Sequence, residues 1–143
     1  MRRLLLILAV VAGCGILEPD EVCGCTPALF AKSFSGEVLP PADQPITGVR
    51  VITESMGDAD PSAAIVCEQN GATLVRNETS AAASGVFSTV ASWPGTQACA
   101  RIWAQAQGTH ALVSDTLVYQ LDSNTASAAV SGVVLQLREV ASP

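Results

Sequence analysis

The sequence has little of what most catalytic and nucleic-acid-binding proteins depend on. It contains one histidine, His110, and only 14% of its 143 residues are charged. A single imidazole argues against metal centres and proton relays built on histidine. Seven basic and thirteen acidic side chains give a formal net charge of −6, which repels a phosphate backbone. We therefore expect no nucleic-acid partner, no metal, no cofactor and no enzymatic activity.

Long hydrophobic runs are also absent. The longest, residues 4–12, has nine residues, whereas a helix that crosses a bilayer needs about 20. This run follows Arg2 and Arg3 and gives way to small residues, which is the layout of a secretory signal peptide. We predict that residues 1–13 are a signal peptide that is removed, and that the mature chain is more acidic because both arginines are lost with it.

The end of this segment is Val11-Ala12-Gly13-Cys14, an aliphatic residue, two small residues and a cysteine, and it resembles a bacterial lipobox. The resemblance implies that Cys14 is acylated, with palmitate for example, and becomes the first mature residue, anchored in the bilayer of the cell envelope. Two or more acyl chains give stable attachment. Gly15 stands where an aspartate would resemble an inner-membrane retention signal, which favours the outer membrane. A plain signal peptide, with Cys14 as an incidental apolar residue, is the alternative.

The sequence contains five cysteines, and their number becomes even once Cys14 is assigned to lipid. The four that remain are Cys23, Cys25, Cys67 and Cys99. In an oxidising compartment an even set favours two disulfides, and three pairings are open. A Cys23–Cys25 bond would close a very small strained ring, so we expect these neighbours to bond separately to Cys67 and Cys99. A zinc site is the weaker interpretation, because the Cys-Gly-Cys spacing is not that of structural zinc pairs.

The remainder of the sequence predicts a tether followed by an all-β domain. Residues 14–32 show neither helical nor strand periodicity, and we interpret them as a lipidated tether that carries the Cys-Gly-Cys step. From residue 33 to 143, short runs rich in Val, Ile, Leu and Thr are separated by Gly, Pro, Asn, Asp and Ser. The predicted strands are 34–39, 49–54, 64–68, 73–77, 86–91, 98–106, 111–121 and 129–140.

Several of these runs alternate between apolar and polar residues, as half-buried strands do. The apolar sets are Val49, Val51 and Thr53; Ala100, Ile102 and Ala104; and Val133, Leu135 and Leu137. Evenly spaced strands without convincing helices predict an antiparallel β-sandwich of about seven to eight strands.

Five short phrases of the sequence carry a family resemblance. They are Ser35-Gly36-Glu37-Val38, Pro45-Ile46-Thr47-Gly48-Val49-Arg50-Val51, Ser84-Gly85-Val86-Phe87, Pro94-Gly95 and Val133-Val134-Leu135-Gln136-Leu137. In this order they resemble the carboxypeptidase regulatory-like domain, a transthyretin-like (prealbumin-like) sandwich of the wider immunoglobulin-like class. The resemblance implies a non-catalytic accessory or surface module. Gly85 would turn the chain before a strand whose Phe87 enters the core, and Pro94-Gly95 would make the next turn.

The two tryptophans, Trp93 and Trp103, are the candidate ligand surface. An exposed indole offers a large apolar area with a polar handle, which suits sugar rings or a partner protein. Packing in the core or at its rim is the commoner fate of tryptophan and is the alternative interpretation.

Two other groups of residues, an acidic stretch and a possible Ser-Asp-His set, do not match known sites. Glu54, Asp58, Asp60 and Glu68 form the densest acidic stretch, but they lack the ligand series of a calcium loop, so we expect a solvated turn. Ser114-Asp115 follows His110 without the glycine pattern of a nucleophile elbow, so we expect no hydrolytic triad.

The leading hypothesis is a lipid-anchored protein of the bacterial cell envelope whose β-sandwich is a structural or binding module for an envelope protein or glycan. The alternative is a carbohydrate- or peptide-binding accessory module that acts beside a separate envelope enzyme or transporter.

Overall fold

The computed structural model describes residues 29–41, 47–57, 67, 72–106 and 111–140. This part of the chain forms eight strands and one short 3-10 helix, and it confirms the all-β prediction. The strands are β1 Leu29–Leu39, β2 Val49–Gly57, β3 Ala72–Ser80, β4 Val86–Pro94, β5 Gln97–Ala106, β6 Leu112–Ser114, β7 Leu117–Asp122 and β8 Val130–Glu139, and the helix is Ser123–Thr125. Within the described ranges, no helix has the length and apolar character to span a bilayer.

All eight strands belong to one sheet. The hydrogen-bonded order is β3-β2-β5-β6-β8-β1-β4, and β7 pairs with β5 beside β6. The β1–β8 pair is parallel, and the other described pairs are antiparallel. The sheet curls until its two edge strands, β3 and β4, approach each other, so it is nearly closed into a barrel.

This architecture corrects the predicted sandwich in one respect and leaves it unconfirmed in another. The expectation of purely antiparallel strands is wrong, because β1 and β8 run in the same direction. Two separate sheets are not seen either. The reason is that β8 bonds to β1 along one edge and to β6 along the other, which joins the two halves into one continuous surface.

Three predicted boundaries also differ from the structure. Strand β1 begins at Leu29, so residues 29–32 belong to the sheet and not to the tether. The predicted strand 111–121 is divided into β6 and β7 at Asp115 and Thr116, because β6 lies between β5 and β8 whereas β7 pairs with β5 alone. The predicted strand 64–68 lies outside the described residues except for Cys67, which is in a turn.

The core fills the inside of the curled sheet. The residues predicted to share one face on β2, β5 and β8 are all buried, and on β2 the opposite face is buried as well at Ile52 and Met56. The inward positions on β5 are alanines except for Ile102: Ala98, Ala100, Ala104 and Ala106. They belong to a core that also holds large rings from β1 and β4, so small and large side chains share the interior. The core cluster comprises Phe34, Val38, Val49, Val51, Phe87, Ala91, Trp93, Ala98, Ala100, Ile102, Ala104, Ala106, Leu121, Val133, Leu135 and Leu137.

Glycines act at the turns named by the family resemblance and at one close contact between strands. Gly85 (φ +86°) precedes β4, whose Phe87 is buried, and Gly95 (φ +80°) follows Pro94. Both positions have the left-handed backbone that only glycine adopts readily. Gly36 lies at an irregularity in the β1–β8 register, where a Cβ would come within 1.8 Å of the Val133 carbonyl oxygen.

Candidate functional site

Cys67 and Cys99 form a disulfide, with their Cα atoms 5.5 Å apart. The expected pairing of Cys23 and Cys25 with these two residues is therefore wrong, because each sulfur makes a single bond. The physical reason lies in the strand register. Cys99 pairs with Met56 near the end of β2, so the connection from β2 to β3, which contains Cys67, starts beside it. Cys14, Cys23 and Cys25 lie outside the described residues.

The outward surface of β3, β2 and β5 carries the densest group of charges in the described part of the chain. We call it the charged face and define it by Arg50, Glu54, Arg76, Glu78 and Trp103. Arg76 Nη1 donates to Glu54 Oε1 at 2.7 Å, and its Nη2 and Nε donate to Glu78 Oε1 at 3.0 and 3.2 Å. Arg50 Nη1 donates to Glu78 Oε2 at 3.4 Å. Glu78 thus accepts hydrogen bonds from both arginines, and Glu54 accepts one from Arg76.

The register of three strands creates this network. Glu54 lies opposite Arg76 across the β2–β3 pair, and Ile52 lies between Glu78 on β3 and Trp103 on β5. Hydrogen bonds to Glu78 and Glu54 raise the pKa of Arg76 above its ordinary value. The guanidinium is therefore a permanent positive charge, and two carboxylates determine its orientation.

Trp103 is the aromatic residue of the charged face. Its side chain is half-buried, and the Arg76 guanidinium carbon lies 5.6 Å from the ring centroid, within range of a cation–π contact. Ile52, although it points to the same side of the sheet, is fully buried. Within the charged face, the Arg76 guanidinium therefore lies over the half-buried Trp103 indole and is already paired with two carboxylates. Arginine and tryptophan are over-represented among the residues that dominate binding energy at interfaces.

The prediction that Trp93 contributes to a ligand surface is wrong. Its side chain is 0% exposed, and its ring lies 6.0 Å from that of Phe30. On β4, Phe87 and Trp93 are six positions apart, an even spacing, so the alternation of a strand points both toward the core. The sequence contained this signal, because the even spacing from Phe87 can be counted without a structure.

The structure assigns Ser114 and Asp115 to structural contacts. Ser114 Oγ accepts from the Ala104 N–H at 2.8 Å and donates to the Asp115 carbonyl at 2.9 Å. The Asp115 carboxylate accepts from Arg138 Nη2 at 2.8 Å. These bonds hold the bend between β6 and β7. His110, the remaining member of the hypothetical triad, lies outside the described residues.

The acidic stretch is only partly described. Glu54 faces Arg76, whereas Asp58, Asp60 and Glu68 lie outside the described ranges. Among the described residues there is no group of three or more histidine, cysteine, aspartate or glutamate side chains that could hold a metal ion.

Lys32 is a residue whose role the sequence did not indicate. It points into the barrel from β1, and its ammonium donates to the carbonyl oxygen of Thr125 at 2.7 Å and to the hydroxyl of the same residue at 3.4 Å. Lys32 and Thr125 are 93 positions apart in the sequence, which explains why no local pattern could show this contact. Lys32 thereby attaches the 3-10 helix to the end of the barrel.

No family model, curated protein or solved structure matches this chain.

Proposed function

We propose that this protein is a lipid-anchored component of the bacterial cell envelope whose β-domain is a non-catalytic structural or binding module. The observation that carries the proposal is the lipobox-like Val11 to Cys14 sequence, which follows two arginines and a short apolar run. The Cys67–Cys99 disulfide supports the same compartment, because disulfides persist in the periplasm and at cell surfaces and are rare in the cytosol.

In this proposal residues 1–13 are removed and the acylated Cys14 is the contact with the bilayer. Gly15 favours the outer membrane. The residues from Cys14 to the start of β1 at Leu29 connect lipid and domain, which keeps the domain close to the membrane surface. The partner of the domain is then another envelope protein or a glycan.

We also assign the domain to the carboxypeptidase regulatory-like, transthyretin-like group as part of this proposal. Gly85, Phe87 and the Pro94-Gly95 step occupy the turn and core positions that the resemblance implies. Domains of that group are generally accessory modules without an active site. The structural use of Ser114 and Asp115 agrees with a module of this kind.

The anchor is tested by expressing the full chain in a bacterium with Cys14→Ser and separating membranes from soluble protein. The wild type should be in the membrane fraction, and mass spectrometry should find an acylated cysteine at its N-terminus. The Cys14→Ser variant should be soluble in the periplasm or retain its signal peptide. Cys23→Ser is the matched control, and it should remain acylated and membrane-bound.

Full membrane association of a Cys14→Ser protein from which residues 1–13 have been removed would refute the lipid anchor. Separation of inner and outer membranes on a density gradient then decides the location of the wild type. A signal confined to the inner membrane would contradict the outer-membrane assignment and leave the anchor itself intact.

The second candidate is an accessory module that binds carbohydrate or peptide, and the charged face is the surface that favours it. Arg and Trp are over-represented among residues that dominate binding energy at interfaces. Co-sedimentation with purified peptidoglycan, and binding to an immobilised peptide library, would detect such a ligand. Trp103→Ala should weaken the binding, whereas Arg138→Ala, on β8, should not change it.

A further inference from the structure

Two buried polar groups in the barrel have no hydrogen-bond partner among the described residues: Ser55 Oγ and Trp93 Nε1. Their side chains are 1% and 0% exposed. Buried polar groups in folded proteins are nearly always paired, with protein or with ordered water, because removing them from water without compensation is unfavourable. A hydrogen-bond partner is therefore expected for both Ser55 Oγ and Trp93 Nε1.

The strand topology places these two groups near the same end of the barrel. Strands β2 and β4 run in the same direction, since each is opposed to the direction shared by β1, β5 and β8. A buried hydrogen bond of 2.9 Å between Thr53 Oγ1 and Thr89 Oγ1 joins β2 to β4. Ser55 follows this contact by two residues on β2, and Trp93 follows it by four on β4.

The neighbours of Ser55 at this level are apolar, and they include Val75, which lies opposite it on β3. Ala91, on β4 between Thr89 and Trp93, points inward and is fully buried. Ala100 lies opposite Ser55 in the β2–β5 register and is also fully buried. None of these side chains can donate or accept a hydrogen bond, so a partner for the Ser55 hydroxyl has to come from elsewhere inside the barrel.

The chemistry of the two groups defines what such a molecule must do. An indole N–H is only a donor, whereas a serine hydroxyl both donates and accepts. The bound molecule must accept from Trp93 Nε1 and bond to Ser55 Oγ, and it must be small and neutral. We propose that one water molecule is bound inside the barrel between Trp93 Nε1 and Ser55 Oγ. Internal waters typically satisfy groups of this kind.

This site has a consequence for the fold. No backbone ladder joins β4 to β2 or β3 among the described strands, so the barrel is open along this seam. Side chains bridge it instead: Asn77 Nδ2 donates to the Val90 carbonyl at 2.8 Å on one side, and Thr53 meets Thr89 inside. The water bridge is a third side-chain link across this seam and the second between β2 and β4, and it lies beyond the threonine pair, toward the ends of β2 and β4.

Replacing Ser55 with alanine distinguishes a bound water from an unpaired hydroxyl. If water bridges the pair, Ser55→Ala removes one of its anchors and lowers Tm by about 4 °C. If the hydroxyl is unpaired, the same change removes an uncompensated polar group, and Tm stays the same or rises. Ser55→Ala and Trp93→Phe together should lower Tm by less than the two separate shifts combined, because both break one bridge. Trp103→Phe, outside the core, is the control and should behave additively with Ser55→Ala.

Wild-type protein provides the direct measurement, which does not depend on any variant folding. A high-resolution crystal structure should show a water oxygen about 2.7–3.2 Å from both Trp93 Nε1 and Ser55 Oγ. In solution, the Trp93 indole proton should show a cross-peak to a long-lived water. A dry interior, or a protein group bonded to Trp93 Nε1, would overturn the proposal, and so would a higher Tm for Ser55→Ala.

Discussion

Replacing Gly36 with alanine should destabilise this domain severely, because the parallel strands β1 and β8 meet there without room for a side chain. A Cβ on residue 36 would lie 1.8 Å from the Val133 carbonyl oxygen and 2.6 Å from its carbonyl carbon. Ordinary carbon–oxygen contacts are about 3.3–3.6 Å, so the two backbones must separate by roughly 1.5 Å. A carbonyl inside a sheet cannot rotate out of the way as a flexible side chain could.

The magnitude follows from what that separation breaks. Overpacking in a core usually costs about 1–3 kcal/mol. Here one or two β1–β8 hydrogen bonds, at about 1 kcal/mol each, are lost as well. The neighbours Phe34 and Val38, which are almost fully buried, must also move with β1. We expect a loss of about 4 kcal/mol, which is a large share of the roughly 5–15 kcal/mol that holds an ordinary domain folded.

Gly132 provides the matched control, because it lies in the same irregular stretch of the β1–β8 pair. A Cβ there would meet no atom within 4 Å, but its φ of +75° strains any other residue. Gly132→Ala should therefore cost only the left-handed backbone penalty, about 1–2 kcal/mol. Comparing the two variants separates steric conflict at Gly36 from the general loss of glycine.

The assay is equilibrium unfolding in urea, followed by circular dichroism and tryptophan fluorescence. Gly36→Ala should lower the midpoint much more than Gly132→Ala, or prevent folding altogether. Gly132→Ala should shift the midpoint without changing the slope. If Gly36→Ala is within about 1 kcal/mol of the wild type, the close approach to Val133 is wrong, and so is the parallel pairing of β1 with β8 that produces it.

Three further predictions concern the disulfide, one titrating group and the charged face. Replacing Cys67 and Cys99 together by serine should lower the free energy of unfolding by about 4 kcal/mol, the value of the chain-entropy model for cysteines 32 residues apart. Peptide mapping of the oxidised wild type should find these two cysteines joined, whereas a link from either to Cys23 or Cys25 would contradict the structure. Burial raises the pKa of Tyr119, so the stability that the protonated Tyr119 contributes is complete below the unfolded-state pKa of about 10 and is lost as pH rises through the higher folded-state pKa. Tyr119→Phe should therefore reduce the fall of Tm at alkaline pH, and an unchanged dependence of Tm on pH would contradict this. Arg76→Met removes the guanidinium over Trp103, so tryptophan emission should shift to the red and acrylamide quenching should increase. An equal effect of Arg138→Met would show that the change does not come from the contact between Arg76 and Trp103.

Much of the local structure could be predicted from residue spacing. Strands β2, β5 and β8 are predictable because successive side chains of a strand point to opposite sides, and the inward residues expected of them are buried. The turns at Gly85 and Gly95, which the family resemblance implies, have the positive φ that glycine readily adopts. The inward position of Trp93 was also implicit in the sequence, since it shares its parity on β4 with Phe87.

The candidate site was less predictable, because it depends on which strands are neighbours. Arg76 and Glu54 are 22 residues apart, and they meet only because β2 pairs with β3. Trp103 joins them because β5 lies on the other side of β2. No local pattern distinguishes these charged residues from others on solvent-exposed strand faces.

The amino-acid sequence by itself determined that this is an all-β domain, which residues of its main strands point inward, and where its glycine turns fall. These properties depend on the conformations of a few consecutive residues. Tertiary structure alone decided that β1 and β8 are parallel, that one predicted strand divides into β6 and β7, and that Cys67 bonds to Cys99. Those outcomes depend on which distant segments share hydrogen bonds, and the same alternating pattern is compatible with several pairings until the whole sheet closes around one core.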